Sequence, residues 1–165
     1  MNVVFERRSI REYTNETITK EHITLLLQAA MQAPSANNQQ PWEFIVVQDR
    51  NTLQELSKAS NGAWMLAQAP LAIIVVMKED GKSPLMKQQD CAAATENILL
   101  EAVQLGLGAV WIGVYPLEDR TAYVNNILNI TRGCAFAQIA IGHPTTQKDV
   151  QLRYDPQRIH YERMD

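Results

Sequence analysis

A chain of 165 residues, 46% apolar and 20% charged, can bury a core without staples and is too apolar for a disordered or fibrous protein. One globular domain over residues 1–165 is expected, and its 15 basic against 18 acidic residues (formal charge −3) give no general field for nucleic acid or an anionic membrane. Cys91 and Cys134 lie in apolar runs without CxxC, the amino terminus lacks an apolar signal core, and no stretch reaches the roughly 20 apolar residues of a membrane span, so a cytoplasmic protein with two buried, reduced thiols is expected.

Helical and extended signals alternate along the chain, which calls for an α+β or α/β fold. The first strong helix signal follows Thr19: Ile23, Leu26, Leu27, Ala30 and Met31 recur at helical spacing until Pro34. A polar loop then runs between Pro34 and Pro41. Trp42–Val47, aromatic and β-branched, reads as a strand, and a short helix follows from Asn51. Leu71–Met77 is a continuous apolar run, the mark of a central strand covered on both faces.

From Pro84 to about Leu107 the pattern predicts a helix on the order of 36 Å long. Cys91, Ala92, Ala94, Thr95, Ile98, Leu99, Ala102 and Leu105 wrap most of its circumference, so it is expected to be buried nearly all round. Either a second subunit or a central place in one core would cover it. Ala109–Val114 reads as a strand, Pro116–Ile130 as a helix and Cys134–Ile141 as a further strand, while the tail from Thr145 is polar and carries Arg153, Arg158 and Arg163.

Gly106 and Gly108 superficially resemble a dinucleotide-binding glycine loop, but they follow a helix and precede a strand. That binding loop needs the opposite order, so that a helix amino terminus meets the pyrophosphate. A helix stop and tight turn is the better reading. Arg7, Arg8, Ser9 and Arg11 place three guanidinium groups and a hydroxyl in five residues, which suits either a phosphate clamp or a solvated basic helix end. Ser35, Asn37, Asn38, Gln39 and Gln40 both donate and accept hydrogen bonds, as the edge of a heteroaromatic ring requires and as an exposed turn also allows. His22, His143 and His160 fall in different elements and form no metal or nucleophile constellation. Any chemistry is therefore best assigned to a bound organic cofactor.

Three segments, in order, resemble the FMN-dependent nitroreductase family: Arg7–Tyr13, Ala33–Trp42, and Asp90–Gly113 with its Asn97-Ile-Leu-Leu, Gly106-Leu-Gly108 and Trp111-Ile-Gly113. The match runs almost end to end. The resemblance implies an α+β fold with a central mixed or antiparallel β-sheet flanked by helices. It also implies an intertwined homodimer, with the long helix at the interface and the carboxy-terminal segment reaching across the partner. FMN would lie between the subunits. Arg7, Arg8, Ser9 and Arg11 would address its phosphate, ribityl chain and pyrimidine edge from one subunit, and Pro34, Ser35, Ala36 and Asn38 would come from the other. Asn61 would turn an amide toward the flavin, and Arg153, or alternatively Arg158, would approach the phosphate. After Trp111, the backbone of Ile112 and Gly113 would present an N–H to flavin N5, so no side chain is assigned a catalytic role.

The activity so implied is ping-pong: NADH or NADPH reduces the flavin, which then reduces a nitroaromatic, a quinone or another small electron-poor acceptor. The same fold also admits ene reduction, dehalogenation or dehydrogenation, or a flavin-binding module with little turnover. The chain departs from longer family members, which often insert helices that cover the active site; only Lys78–Ser83 separates the Leu71 strand from the long helix, so the resemblance to a compact member implies a more open pocket over the flavin.

Overall fold

The computed structural model describes residues 2–146 and 149–164. Caps set several boundaries. Thr19 Oγ1 accepts from the His22 amide (3.2 Å) and opens helix α2 (Lys20–Met31), and Asp49 Oδ1 accepts from the Thr52 amide (2.8 Å) to open α3 (Arg50–Leu56). Before them stands a four-residue helix, α1 (Val3–Glu6), too short to leave a periodic signal.

Strands β1 (Trp42–Val47), β2 (Leu71–Met77), β3 (Gly108–Gly113) and β4 (Cys134–Gly142) form one sheet in the order β1-β2-β4-β3. The class is α+β. Of the two sheet types expected, the ladder is wholly antiparallel, and the parallel element is an isolated bridge between Ser9 and Ala109. Every residue of β2 is buried, because both faces of the sheet are covered. Ile73 and Val75 pack toward α2 and α4 (Lys87–Gln104), while Ile74 and Val76 pack toward α3, the 3₁₀ turn Asn61–Ala67 and α5 (Glu118–Leu128).

The long helix departs from expectation in length and burial. Pro84–Met86 is a separate 3₁₀ turn, which leaves α4 with 18 residues and a length of about 27 Å. Gly106 takes φ 72° and ends it through two bonds, Leu107 N–H to Ala102 O (2.7 Å) and Gly106 N–H to Val103 O (3.0 Å). Those are the paired bonds of a glycine stop. Cys91, Ala94, Thr95, Ile98, Leu99 and Ala102 are buried, but Ala92 and Leu105 are only half-buried, because the sheet and α2 leave one flank of α4 open within a single chain. Cys91 is buried as expected, and burial pushes its thiol up to about 12; Cys134 is half-buried rather than buried. Among the described residues no helix is long and apolar enough to cross a membrane.

At one end of the sheet Gly108 and Gly142 stand directly opposite in the β3–β4 register. A Cβ on Gly108 would lie 2.7 Å from Ile10 Cγ2, and one on Gly142 would lie 2.8 Å from Tyr13 Cβ. The missing side chains form a notch through which Ile10–Tyr13 crosses the sheet. Tyr13 is buried there, its hydroxyl donating to Ile10 O (2.6 Å), and desolvation raises its phenol pKa above the ordinary range.

Candidate functional site

The arginine segment hangs on the outer edge of β3. Ile10 N–H donates to Ala109 O (3.0 Å), next to the Ser9–Ala109 bridge, and Arg7 Nε pairs with Glu96 of α4 (3.1 Å). Arg7 and Arg8 line a cleft of about 350 Å³ whose other wall is Gln151–Tyr154, so Arg153 faces them across it. Arg8 Nη1 donates to the Asp149 carbonyl (2.8 Å), and among the described residues neither Arg8 nor Arg153 pairs with a carboxylate. Three arginines thus line one cleft, and among the described residues Glu96 is the only carboxylate paired with any of them, in a chain whose net charge is −3. Arg158 does not line this cleft and is engaged by Asp155 (3.2 Å); Arg11 is exposed.

The same edge presents a backbone donor. Because Ala109 O faces out to Ile10, strand alternation turns the backbone groups of Trp111 and Gly113 outward too. Val114 N–H, bonded inward to Phe136 O (3.3 Å), and Gly113 O, reached from outside by Arg120 Nη1 (3.2 Å), agree with that phase. Of the two donors expected, only Gly113 therefore offers its N–H at the edge. Ile112 turns its amide to β4 and buries its side chain in the core. Gly113 is exposed, and among the described residues other than its chain neighbours no heavy atom lies within 4 Å of where a Cβ would stand. Trp111 is half-buried against Phe136, and Tyr115, stacked on Phe136, accepts from Gln88 Nε2 (2.9 Å).

The polar loop sits on the other side of the molecule, where it leads into β1. Asn37, Asn38 and Gln40 have φ of 51°, 50° and 46°. Ser35 Oγ accepts from the Gln40 amide (3.0 Å), and Asn38 Oδ1 accepts from Gln40 Nε2 (3.0 Å), which leaves the Asn38 amide nitrogen without a partner among the described residues. Pro34 and Asn38 are exposed, while Ser35 and Ala36 are half-buried. Asp90 of α4 anchors the loop through Ala36 N–H (3.0 Å) and Gln39 Nε2 (2.6 Å).

The expected residues therefore form two groups within one chain. Asp90 carries the loop and Glu96 touches the arginine segment, six residues apart on faces of α4 separated by roughly 120°. The segments flank opposite edge strands of the sheet. Asn61 joins neither group; it is exposed at the start of its 3₁₀ turn, without a side-chain partner among the described residues. Asp90 and Arg120 were missed by the sequence reading, and Gln39, expected as one of the polar loop residues, turns its side chain inward to Asp90 and Ser83. Asp90 had left a signal, since a carboxylate occupies the stripe of Ala94, Ile98 and Ala102 at four-residue spacing, where an unpaired charge would be costly. Among the described residues no cluster of histidine, cysteine and acidic groups could hold a metal.

The sequence and the fold have counterparts in known proteins. The family model described as the nitroreductase family matches residues 4–88 and 64–143. The chain belongs to the nitroreductase family. It is 44% identical to an Archaeoglobus fulgidus protein provisionally named NADH dehydrogenase/NAD(P)H nitroreductase, over 99% of this chain and 97% of the relative. Among solved structures, a protein from Clostridium acetobutylicum provisionally titled an NADH oxidase superposes with a TM-score of 0.95 at 46% identity, covering 98% of this chain and 99% of that one. A protein from Desulfovibrio desulfuricans provisionally titled a nitroreductase, solved in complex with FMN, superposes with a TM-score of 0.83 at 29% identity, covering 99% and 96%. The nitroreductase match to residues 4–88 includes both the arginine segment and the polar loop, and the match to 64–143 includes the outward edge of β3.

Proposed function

We propose that this nitroreductase is an FMN-dependent oxidoreductase, with NADH or NADPH as electron donor and a nitroaromatic, quinone or similar electron-poor small molecule as acceptor, turning over by a ping-pong mechanism. The observation that carries the reading is the cleft lined by Arg7, Arg8 and Arg153, of which only Arg7 pairs with an acid among the described residues. Guanidinium forks suit a phosphate dianion, and Arg153 is preferred to Arg158 because Asp155 already engages the latter.

FMN, when bound, supplies hydride-transfer chemistry that no side chain here offers. Arg7, Arg8 and Arg153 would hold its phosphate, with Ser9 and Arg11 beside the ribityl chain and pyrimidine edge. Pro34, Ser35, Ala36 and Asn38 would supply the facing wall from a second copy of the chain. Gly113 would direct its backbone N–H toward flavin N5, with Trp111 behind it and Asn61 as an outlying contact. The open space beside Gly113 would admit flat acceptors of varied shape, which favours broad acceptor use.

A homodimer is part of the proposal, because the two groups of residues point away from one another within a chain. It is supported by apolar residues left in water at both ends: Phe5 is 55% exposed, Leu152 75% and Tyr154 78%. The half-buried flank of α4 belongs to the same uncovered surface. The decisive experiment is to purify the protein, record its visible spectrum and identify released flavin by chromatography. Yellow protein releasing FMN, bleached by NADH or NADPH without oxygen and recoloured by a nitroaromatic or quinone, is the expected result. A colourless protein that rejects added FMN overturns the proposal.

A further inference from the structure

Resting on the FMN reading above, we infer that Asp90 is the positioning residue that holds the Ser35–Gln40 loop in the shape required to meet the cofactor. Three non-glycine residues of this loop, Asn37, Asn38 and Gln40, are left-handed. Such a conformation persists in ordinary residues only where the surroundings over-determine it. A chain of hydrogen bonds does so here, and its polarity is fixed from Ser83 through Gln39 and Asp90 to Ala36.

Ser83 reads the Gln39 side chain at both ends: its N–H donates to Oε1 (2.9 Å) and its carbonyl accepts from Nε2 (3.1 Å). The nitrogen end of that amide is thereby settled. Its second hydrogen goes to Asp90 Oδ2 (2.6 Å), and Asp90 Oδ1 accepts from Ala36 N–H (3.0 Å). Both carboxylate oxygens are acceptors facing donors, and Asp90 is buried, 6% exposed, so water offers little relief. Asn37 adds a bond from Nδ2 to Ser83 Oγ (2.7 Å). The loop is thus clamped between the Asp90 turn of α4 and Ser83, with the exposed Asn38 side chain held outward.

The test exploits that polarity. Asp90→Asn keeps the shape but brings an NH₂ group against one of two donors. Gln39→Glu puts an acceptor against Ser83 O and Asp90, and the double variant restores a donor–acceptor pair between positions 39 and 90. Asp90→Asn is expected to weaken FMN binding by about tenfold to a hundredfold in a fluorescence titration. In the apoprotein it should speed hydrogen exchange at the Ala36 and Gln40 amides by roughly tenfold or more while the Ile74 amide in β2 keeps its protection. The double variant should recover part of both effects relative to either single change. FMN affinity within twofold of the unaltered protein overturns the inference. So does a parallel loss of protection at Ile74, which would mark a merely structural role. If the unaltered protein binds no FMN, the cofactor reading fails by itself. Exchange in the apoprotein then still decides the clamp: selective loss at Ala36 and Gln40 upholds it, and retained protection overturns it.

Discussion

Gly108→Ala tests how the fold carries its arginines. The new Cβ would stand 2.7 Å from Ile10 Cγ2, 2.8 Å from its Cβ and 3.1 Å from its Cγ1. Ordinary carbon contacts begin near 3.5 Å, so Ile10 would have to withdraw by about 1 Å. It has little freedom to do so, since its N–H is held by Ala109 O (3.0 Å) and its carbonyl by the Tyr13 hydroxyl (2.6 Å). Overpacking of this kind costs about 1–3 kcal/mol, and for a chain of this size each kcal/mol lowers Tm by roughly 2–4 °C. The displacement also moves Arg7, Arg8 and Arg11, so FMN affinity should fall by a share of the about 1.5–3 kcal/mol that a charged hydrogen bond contributes. Urea unfolding and FMN titration of Gly108→Ala, Ile10→Ala and the double variant form a thermodynamic cycle. Removing the Ile10 branches should make the second change cheaper, with a coupling of at least about 1 kcal/mol in stability. Gly113→Ala on the same strand, where a Cβ meets open space, is the control and should be nearly neutral for stability. A strictly additive cycle, or equal costs at positions 108 and 113, would refute the notch as the device that places the arginine segment.

Arg8→Ala should weaken FMN binding by about 2 kcal/mol and flatten its dependence on salt, as read in titrations at several ionic strengths. Asn38→Ala should also weaken it, and mixing Arg8→Ala with Asn38→Ala protein should regenerate one unaltered site per mixed dimer; no recovery of bound flavin would place both residues in one subunit's site. Gln138 is fully buried in β4, and neither of its amide atoms is hydrogen-bonded among the described residues, so its replacement by methionine should raise stability by about 1 kcal/mol or more, measured by urea unfolding. The Cys91 thiol, raised from its ordinary value of 9.0 to about 12, keeps its proton in the folded state after the unfolded chain has lost it. Its contribution is therefore intact below pH 9 and is lost as pH rises from 9 toward 12, at up to about 1.4 kcal/mol per pH unit. Cys91→Ala should flatten the alkaline limb of the stability profile, and an unchanged limb would show that the thiol does not titrate on unfolding.

What could be read from the sequence was whatever local chemistry marks. The helix start after Thr19, the unbroken apolar run Leu71–Met77 and the stop at Gly106 each act through neighbours in the chain, and each lies where expected. The all-round apolar pattern of α4 was real, but a pattern does not say which chain covers which flank, and Ala92 and Leu105 are half-buried in one copy. The phase of a strand is likewise invisible in composition. Ile112 and Gly113 were equal candidates until the Ile10–Ala109 bond showed which amide faces out. Gln39 looked like one polar loop residue among several, because its partners, Ser83 and Asp90, are more than 40 positions away.

Both groups of candidate residues are referred to one rigid element. α4 holds the polar loop through Asp90 and meets the arginine segment through Glu96, and one residue beyond Glu96, Asn97 Nδ2 ties the helix to Ala29 O of α2 (2.9 Å). A loop and an extended terminal segment would by themselves sample many shapes. Fastened to one 18-residue helix, both are referred to the same rigid frame. If two copies pair through the open flank of that helix, the loop of one is set against the arginines of the other by the geometry of α4 alone. Dimerisation and cofactor binding then become linked equilibria, so that FMN should strengthen the dimer by the same free energy with which the dimer strengthens FMN binding.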